Sequence, residues 1–286
     1  MTRLWTIWLT LVIVGAAGNV FPQVVLENAP DLEKIDVVDH TGGTVPLDLV
    51  FRNESGDIVR FAQFFAVDRP VILILGYYRC PMLCNLVFNG MTSGLNQLDW
   101  SIGKQFQLVN VTIDGSETPD LAAAKKANYL ASLKGEVDPS GWAFLVGDST
   151  QSRALADAVG FKYFYNPERQ EWAHPAAAFV LTPEGRISRT LYGIEFSKTD
   201  LKLSLLEASQ GRLGSPLDKL ILYCYHYDPS SRGYTVAAGN LMKLGGAATV
   251  TALGIFVGLL WYGERLRRRM TRSVSPIELP KVDIKG

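Results

Sequence analysis

The chain has 286 residues, with 28 Lys and Arg against 28 Asp and Glu and an apolar share of 48%. That length holds one domain with a full core plus accessory segments, and the even charge balance gives no sign of a nucleic-acid partner. Three cysteines, Cys80, Cys84 and Cys224, are too few for a disulfide-dense secreted scaffold.

The chain opens with MTRLWTIWLTLVIVGAAGNV, in which Arg3 precedes an apolar stretch that ends in Ala16, Ala17 and Gly18. This is the pattern of a secretory signal peptide over residues 1–18, followed by a leader at 19–30. A domain is expected over 31–213. It begins with VPLDLVF and DIVRF flanking RNESG, a strand, turn and strand with Gly56 in the turn. Residues 71–75, VILIL, read as a buried strand ended by Gly76.

The next segment, PMLCNLVFNGMTSGLNQL, spaces Leu83, Leu86, Val87, Met91 and Leu95 as a helix does. Pro81 fits its first turn, where a missing N–H costs nothing, and Cys80 then lies at the strand-to-helix junction. QFQLVNVTI is a second buried strand, closed by Asp114 and Gly115. Residues 119–133 read as a helix, WAFLVG as a short strand, and 150–159 as a helix capped by Asp148 or Ser149. FKYFYN leads into a polar loop, PERQEWAH, and AAAFVLTPEGRISRTLYG is a hairpin turning at Pro183, Glu184 and Gly185. A last domain helix is expected at 200–209. This alternation implies an α/β class, a mixed sheet flanked by helices in the thioredoxin-like order.

Residues 214–243 read as a tether. After it, LGGAATVTALGIFVGLLWY (244–262) runs uncharged between Lys243 and Glu264, close to the roughly 20 residues that a transmembrane helix needs. Arg265, Arg267, Arg268, Arg269 and Arg272 follow, so the basic tail at 263–286 is expected in the cytoplasm and the domain outside.

Cys80 and Cys84 carry the chemistry. Four residues apart on a helix they share a face, with Cβ atoms roughly 5–6 Å apart against the roughly 3.5–4.5 Å of a disulfide, so a plain disulfide pinning the helix start is one reading but demands some adjustment. The helix N-terminus favours the Cys80 thiolate as redox nucleophile or as metal ligand. Two thiolates plus an imidazole suit copper, copper(I) above all, and zinc would take a fourth ligand. Of the three histidines, His174 precedes the AAAFVL strand, in a loop that such a sheet returns to the cysteine helix, which makes it the candidate third ligand. His40 reads as a turn residue and Met82 as a packing residue. Asp114, at the carboxyl edge of the sheet, is a candidate orienting group for His174 or a turn cap. Cys224 and His226, in LYCYHYDP, are a free thiol and a solvated histidine, or else a second soft-ligand cluster or a transient mixed-disulfide partner.

With YYRCPMLC, VTIDGSETP and AHPAAAFVLTPEGRISRTLYG in this order over residues 45–211, the chain resembles the SCO/SenC family of membrane-anchored copper proteins. The resemblance implies a thioredoxin-like fold and copper held by Cys80, Cys84 and His174. It implies service to cytochrome c oxidase assembly, with the dicopper subunit of the oxidase as partner. Where the family commonly carries Asp-Pro-x-Arg-Asp, this chain has Asp114-Gly115-Ser116-Glu117-Thr118, so Asp114 alone carries over. Many members are anchored at the N-terminus, whereas the clear anchor here is C-terminal. Together these readings give a single-pass inner-membrane protein with a periplasmic domain, a copper carrier with Asp114 behind the ligands. The alternative is a metal-free thiol–disulfide oxidoreductase, with Cys80 attacking and Cys84 resolving.

Overall fold

The computed structural model describes residues 34–66, 68–135, 137–210, 225–228, 233–236 and 238–272. The expected signal peptide and leader, Cys224 and the tail beyond 272 lie outside the described residues.

The chain enters through β1 (Asp36–Val37) and the hairpin of β2 (Val50–Arg52) and β3 (Ile58–Arg60). Three strands follow, β4 (Val71–Gly76), β5 (Gln107–Thr112) and β6 (Trp142–Leu145), paired in parallel and buried at every position. Continuous apolar runs of this kind are what a strand covered on both faces requires. Helix α1 (Leu83–Leu95) crosses from β4 to β5 and α2 (Pro119–Ser132) from β5 to β6. Helix α3 (Ser149–Ala158) is capped by Asp148, whose carboxylate accepts the Thr150 N–H at 2.7 Å.

Short strands β7 (Phe161–Lys162), β8 (Phe164–Asn166) and β9 (Glu171–Ala173) come next, then β10 (Ala177–Leu181) and β11 (Ile187–Tyr192). The main sheet runs β11-β10-β4-β5-β6, with β10 antiparallel to both neighbours. Helix α4 (Lys198–Ala208) packs back on β10 and β11. This is the mixed, helix-flanked, thioredoxin-like architecture expected from the element order.

Four local readings change. The stretch expected as a polar loop after FKYFYN is a hairpin in which β8 pairs with β9. Tyr165 faces Trp172 there, ring centroids 5.2 Å apart, and Asn166 Oδ1 accepts the N–H groups of Glu168 and Arg169 in the turn. Helix α1 begins at Leu83 with Met82 as its cap residue, so Pro81 lies before the helix and not in its first turn. Met82 does not pack: it is 69% exposed. The described part of the expected tether holds a hairpin of β12 (Tyr225–Asp228) and β13 (Gly233–Val236), and helix α5 starts at Ala238 and continues to Arg272. Within α5, Met242–Arg265 is long and apolar enough to cross a membrane, with none of it buried in the domain.

Helix α1 is pressed tightly against the chain that follows β11. A Cβ on Gly90 would stand 1.8 Å from the Ile194 carbonyl oxygen, so only glycine admits this approach. That contact fixes the helix that carries Cys84.

Candidate metal centre

Strand β4 ends at Gly76, and residues 77–82 turn the chain into α1. Cys80 is in that turn and Cys84 is the second residue of the helix. Helix N-termini leave N–H groups without intrahelical partners. Here the Cys84 N–H points at Cys80 Sγ, 3.3 Å away, so a cysteine sulfur takes the place of a capping hydroxyl. His174 follows β9 and precedes β10, the strand beside β4, and this adjacency brings its ring to the start of α1.

The Sγ atoms of Cys80 and Cys84 and a ring nitrogen of His174 lie within 4.8 Å of one another. His174 Nε2 is 3.0 Å from Cys84 Sγ. Its Nδ1 is 2.9 Å from the Pro175 carbonyl oxygen, which only accepts. That contact assigns the ring proton to Nδ1 and leaves the Nε2 lone pair facing the sulfurs. Tyr77 and Phe161 wall the imidazole, each with its ring centroid 5.9 Å away. All three candidate ligands are buried, with Cys80 6% exposed, Cys84 3% and His174 6%.

Both cysteines are free thiols, and their protonation differs. Hydrogen bonding from the Cys84 side chain first, and from the Cys84 N–H, holds the Cys80 thiol far below its usual range against the opposing effect of burial. Burial first, and the Cys80 sulfur second, push the Cys84 thiol far up. The Tyr77 phenol is also raised, by burial and then by its hydrogen bond to Cys80. The resting pair is therefore a Cys80 thiolate beside a Cys84 thiol.

Two residues that sequence reasoning passed over build this site. Gly76, read only as a strand terminator, makes room for Cys84: a Cβ there would meet Sγ at 2.9 Å. The Tyr77 N–H donates to the same sulfur at 3.3 Å. Glu117 is buried, and its carboxylate accepts from the Tyr78 N–H at 2.8 Å, the Arg79 N–H at 2.7 Å and the Thr112 hydroxyl at 2.6 Å. It pins the turn leading to Cys80. Nothing in DGSETP marks this acidic residue as buried, although its place just before the Thr118-Pro119 helix start puts it at the sheet's carboxyl edge.

The remaining candidates fall elsewhere. Asp114 caps its own turn, accepting the Ser116 N–H at 2.9 Å, and it lines a cleft with Tyr77, Arg79 and Pro81. The orienting partner of His174 is the Pro175 carbonyl and not Asp114. His40 is exposed and meets the Ala158 carbonyl at 3.0 Å, in keeping with a turn residue. His226 is described only as a backbone position in β12.

The donor set tests well against a soft metal ion. Two sulfurs and one unprotonated nitrogen converge under the surface, one sulfur in space that a Cβ would fill. Three soft or borderline donors suit copper(I) better than zinc.

The family model for SCO1/SenC matches residues 48–203. No curated protein matches the chain in sequence. Among solved structures, a candidate electron transfer protein from Aquifex aeolicus VF5 is 23% identical, with 59% of this chain and 94% of that one covered and a TM-score of 0.52. A candidate electron transport protein from the same organism is also 23% identical, covering 59% and 98%, with a TM-score of 0.49. ScoI of Bradyrhizobium japonicum with copper bound is 17% identical, covering 59% and 98%, with a TM-score of 0.43. The first of these shows a shared fold.

Proposed function

Since the chain belongs to the SCO1/SenC family, we propose that it is a membrane-anchored copper carrier whose domain lies on the periplasmic side of the inner membrane. In this reading Cys80, Cys84 and His174 hold copper(I), and the protein delivers it to, or prepares the cysteines of, the dicopper site of cytochrome c oxidase. The convergence of two sulfurs and Nε2 of His174 within 4.8 Å carries the reading. Copper, when bound, is cargo: a soft ion kept from water and oxygen by buried ligands.

The protein's own groups do the rest. Cys80 is ready as a thiolate, and His174 presents a lone pair fixed by the Pro175 carbonyl. Cys84 gives up its proton on loading, and the Tyr77 N–H then supports the sulfur that remains. Glu117 keeps the turn that carries Cys80 in place through two backbone N–H groups. Both thiols must be reduced to bind, so the redox state of the pair gates loading.

The pairing of a depressed Cys80 with a raised Cys84 also supports the alternative, an oxidoreductase in which Cys80 attacks a partner disulfide and Cys84 resolves it. Replacing His174 separates the two. The reduced full chain in detergent is titrated with copper(I) and copper(II) beside His174→Ala and followed by absorption and EPR spectroscopy. Stoichiometric binding that collapses in the variant supports the carrier. Disulfide exchange that survives in the variant, with no copper bound by the wild type, supports the oxidoreductase.

A further inference from the structure

The three candidate ligands lie beneath the surface, yet the residue midway between the two cysteines does not. Met82, just before α1, is 69% exposed, while Met91, within the helix, is fully buried in the core. A single exposed apolar side chain means little by itself. Its chemistry and position give this one meaning. Met82 is the cap residue of α1, two residues from each thiol, in the turn whose Cys80 sulfur the Cys84 N–H fixes at 3.3 Å. Its side chain is unbranched with three rotatable bonds and ends in a soft, polarizable thioether.

A buried three-donor set holds a soft ion well but gives an incoming ligand no approach. Ion transfer between proteins proceeds by ligand exchange, in which a new bond forms as an old one breaks, and a donor at the mouth is needed to bridge the two. The cleft beside the cysteines is lined by Tyr77, Arg79, Pro81, Asp114 and Ser116, whose side chains offer hard oxygen donors, a cation or no donor. Soft ions discriminate against all of these.

Building on the copper-carrier reading, we infer that Met82 is the exit and entry ligand of the site. Its thioether takes up copper(I) as the bond to Cys80 loosens and hands it to a soft donor, thiolate or thioether, on the partner. The ion stays in the +1 state throughout, and no electron moves. Cys80 keeps its electron pair and returns to the Cys84 N–H, while Cys84, the most buried of the three, lets go last and takes back from solvent the proton it gave up on loading.

The test uses the reduced full chain in detergent, loaded with one equivalent of copper(I) and mixed with an excess of a coloured copper(I) chelator in a stopped-flow instrument. In Met82→Leu, a near volume-conserving change, the transfer rate is expected to fall about tenfold, some 1.4 kcal/mol of barrier, and by more than the equilibrium affinity does. Equal rates overturn the inference and leave the carrier reading standing. Failure of the wild type to bind copper(I) at all overturns both. A second measurement needs no variant in the binding step: silver(I), a redox-silent soft probe, is added to protein carrying carbon-13 on its methionine methyls. The Met82 resonance is expected to shift or broaden while that of Met91 stays in place. A Met82 resonance that does not move while silver saturates the cysteines overturns the inference.

Discussion

At the level of single residues, the chemistry of the site turns on one proton shared among three neighbours. Cys80 is held as a thiolate by donors from the Cys84 side chain and the start of α1, whereas burial keeps Cys84 a thiol whose sulfur contacts His174 Nε2. Loading with copper(I) at neutral pH is therefore expected to release about one proton per ion, from Cys84, rather than two. An indicator titration in weak buffer counts it. Because the Cys80 value is depressed, the count rises towards two only as pH falls through that folded value, well below neutrality. A count of two at pH 7 would mean that Cys80 rests protonated. Gly76 gives a second expectation. Gly76→Ala places a Cβ against Cys84 Sγ, and overpacking of this kind costs about 1–3 kcal/mol. The sulfur must move, so copper affinity should fall by more than tenfold if that cost lands on the site. Affinity equal to wild type in competition titration would show that the space is not reserved for sulfur. Cys80, Cys84 and His174 were legible because thiol spacing and a lone histidine before a strand are patterns along the chain. Gly76 and Glu117 were not, because their roles depend on what lies across from a missing Cβ and on which loop folds over a carboxylate.

At the level of elements, the turn between β4 and α1 has to be held from outside, since it makes few bonds of its own. Glu117, from the turn before α2, supplies the acceptors for Tyr78 and Arg79. Glu117→Ala leaves the buried Tyr78 N–H and Thr112 hydroxyl without that partner, and each buried unmet donor costs about 1–3 kcal/mol. The domain should melt at a clearly lower temperature and bind copper less tightly, because Cys80 loses its fixed approach to α1. Burial, outweighing the hydrogen bonds from Thr112 and the two backbone groups, raises the Glu117 carboxyl above its ordinary value. A raised folded value means that this group's contribution is full below the unfolded value and is lost as pH rises through the folded one. Melting of wild type and Glu117→Gln across pH 4 to 8 checks the sign: the difference between them should move against the wild type as pH rises. An unchanged difference would remove the titration from the account. The buried strands β4 and β5 were readable as apolar runs, α3 from its Asp148 cap and the β10–β11 hairpin from its turn. The β8–β9 hairpin was not, since its strands are three residues each and are recognised by a cross-strand aromatic pair, not by periodicity. The start of α1 shifted because a sulfur, which no capping rule includes, accepts the helix N–H.

At the level of the whole molecule, the domain and α5 make different demands on their surroundings. The domain buries its apolar side chains against one another, but the apolar stretch Met242–Arg265 buries none against the rest of the chain, and 24 residues of helix extend about 36 Å, enough for the roughly 30 Å of a bilayer core. Leu253, Ile255, Phe256, Val257, Leu259 and Leu260 are all exposed there, a surface that water would not tolerate on a stable monomer. Trp261 lies at the end of this stretch with the Arg265 guanidinium 3.8 Å over its ring, an arrangement suited to the headgroup level. One lysine, Lys243, precedes the uncharged run and five arginines follow it closely, so orientation should follow the arginines. A reporter that fluoresces only in the cytoplasm, fused after Gly286, should be bright, and protease added outside spheroplasts should digest the domain while sparing the reporter. Replacing Arg265, Arg267, Arg268, Arg269 and Arg272 with Asn should weaken or invert that pattern without altering copper binding in detergent, because the ligands depend on the sheet and α1 and not on the tail. A dark reporter with a protected domain would put the cysteines in the cytoplasm. That outcome would overturn the periplasmic placement proposed for the domain.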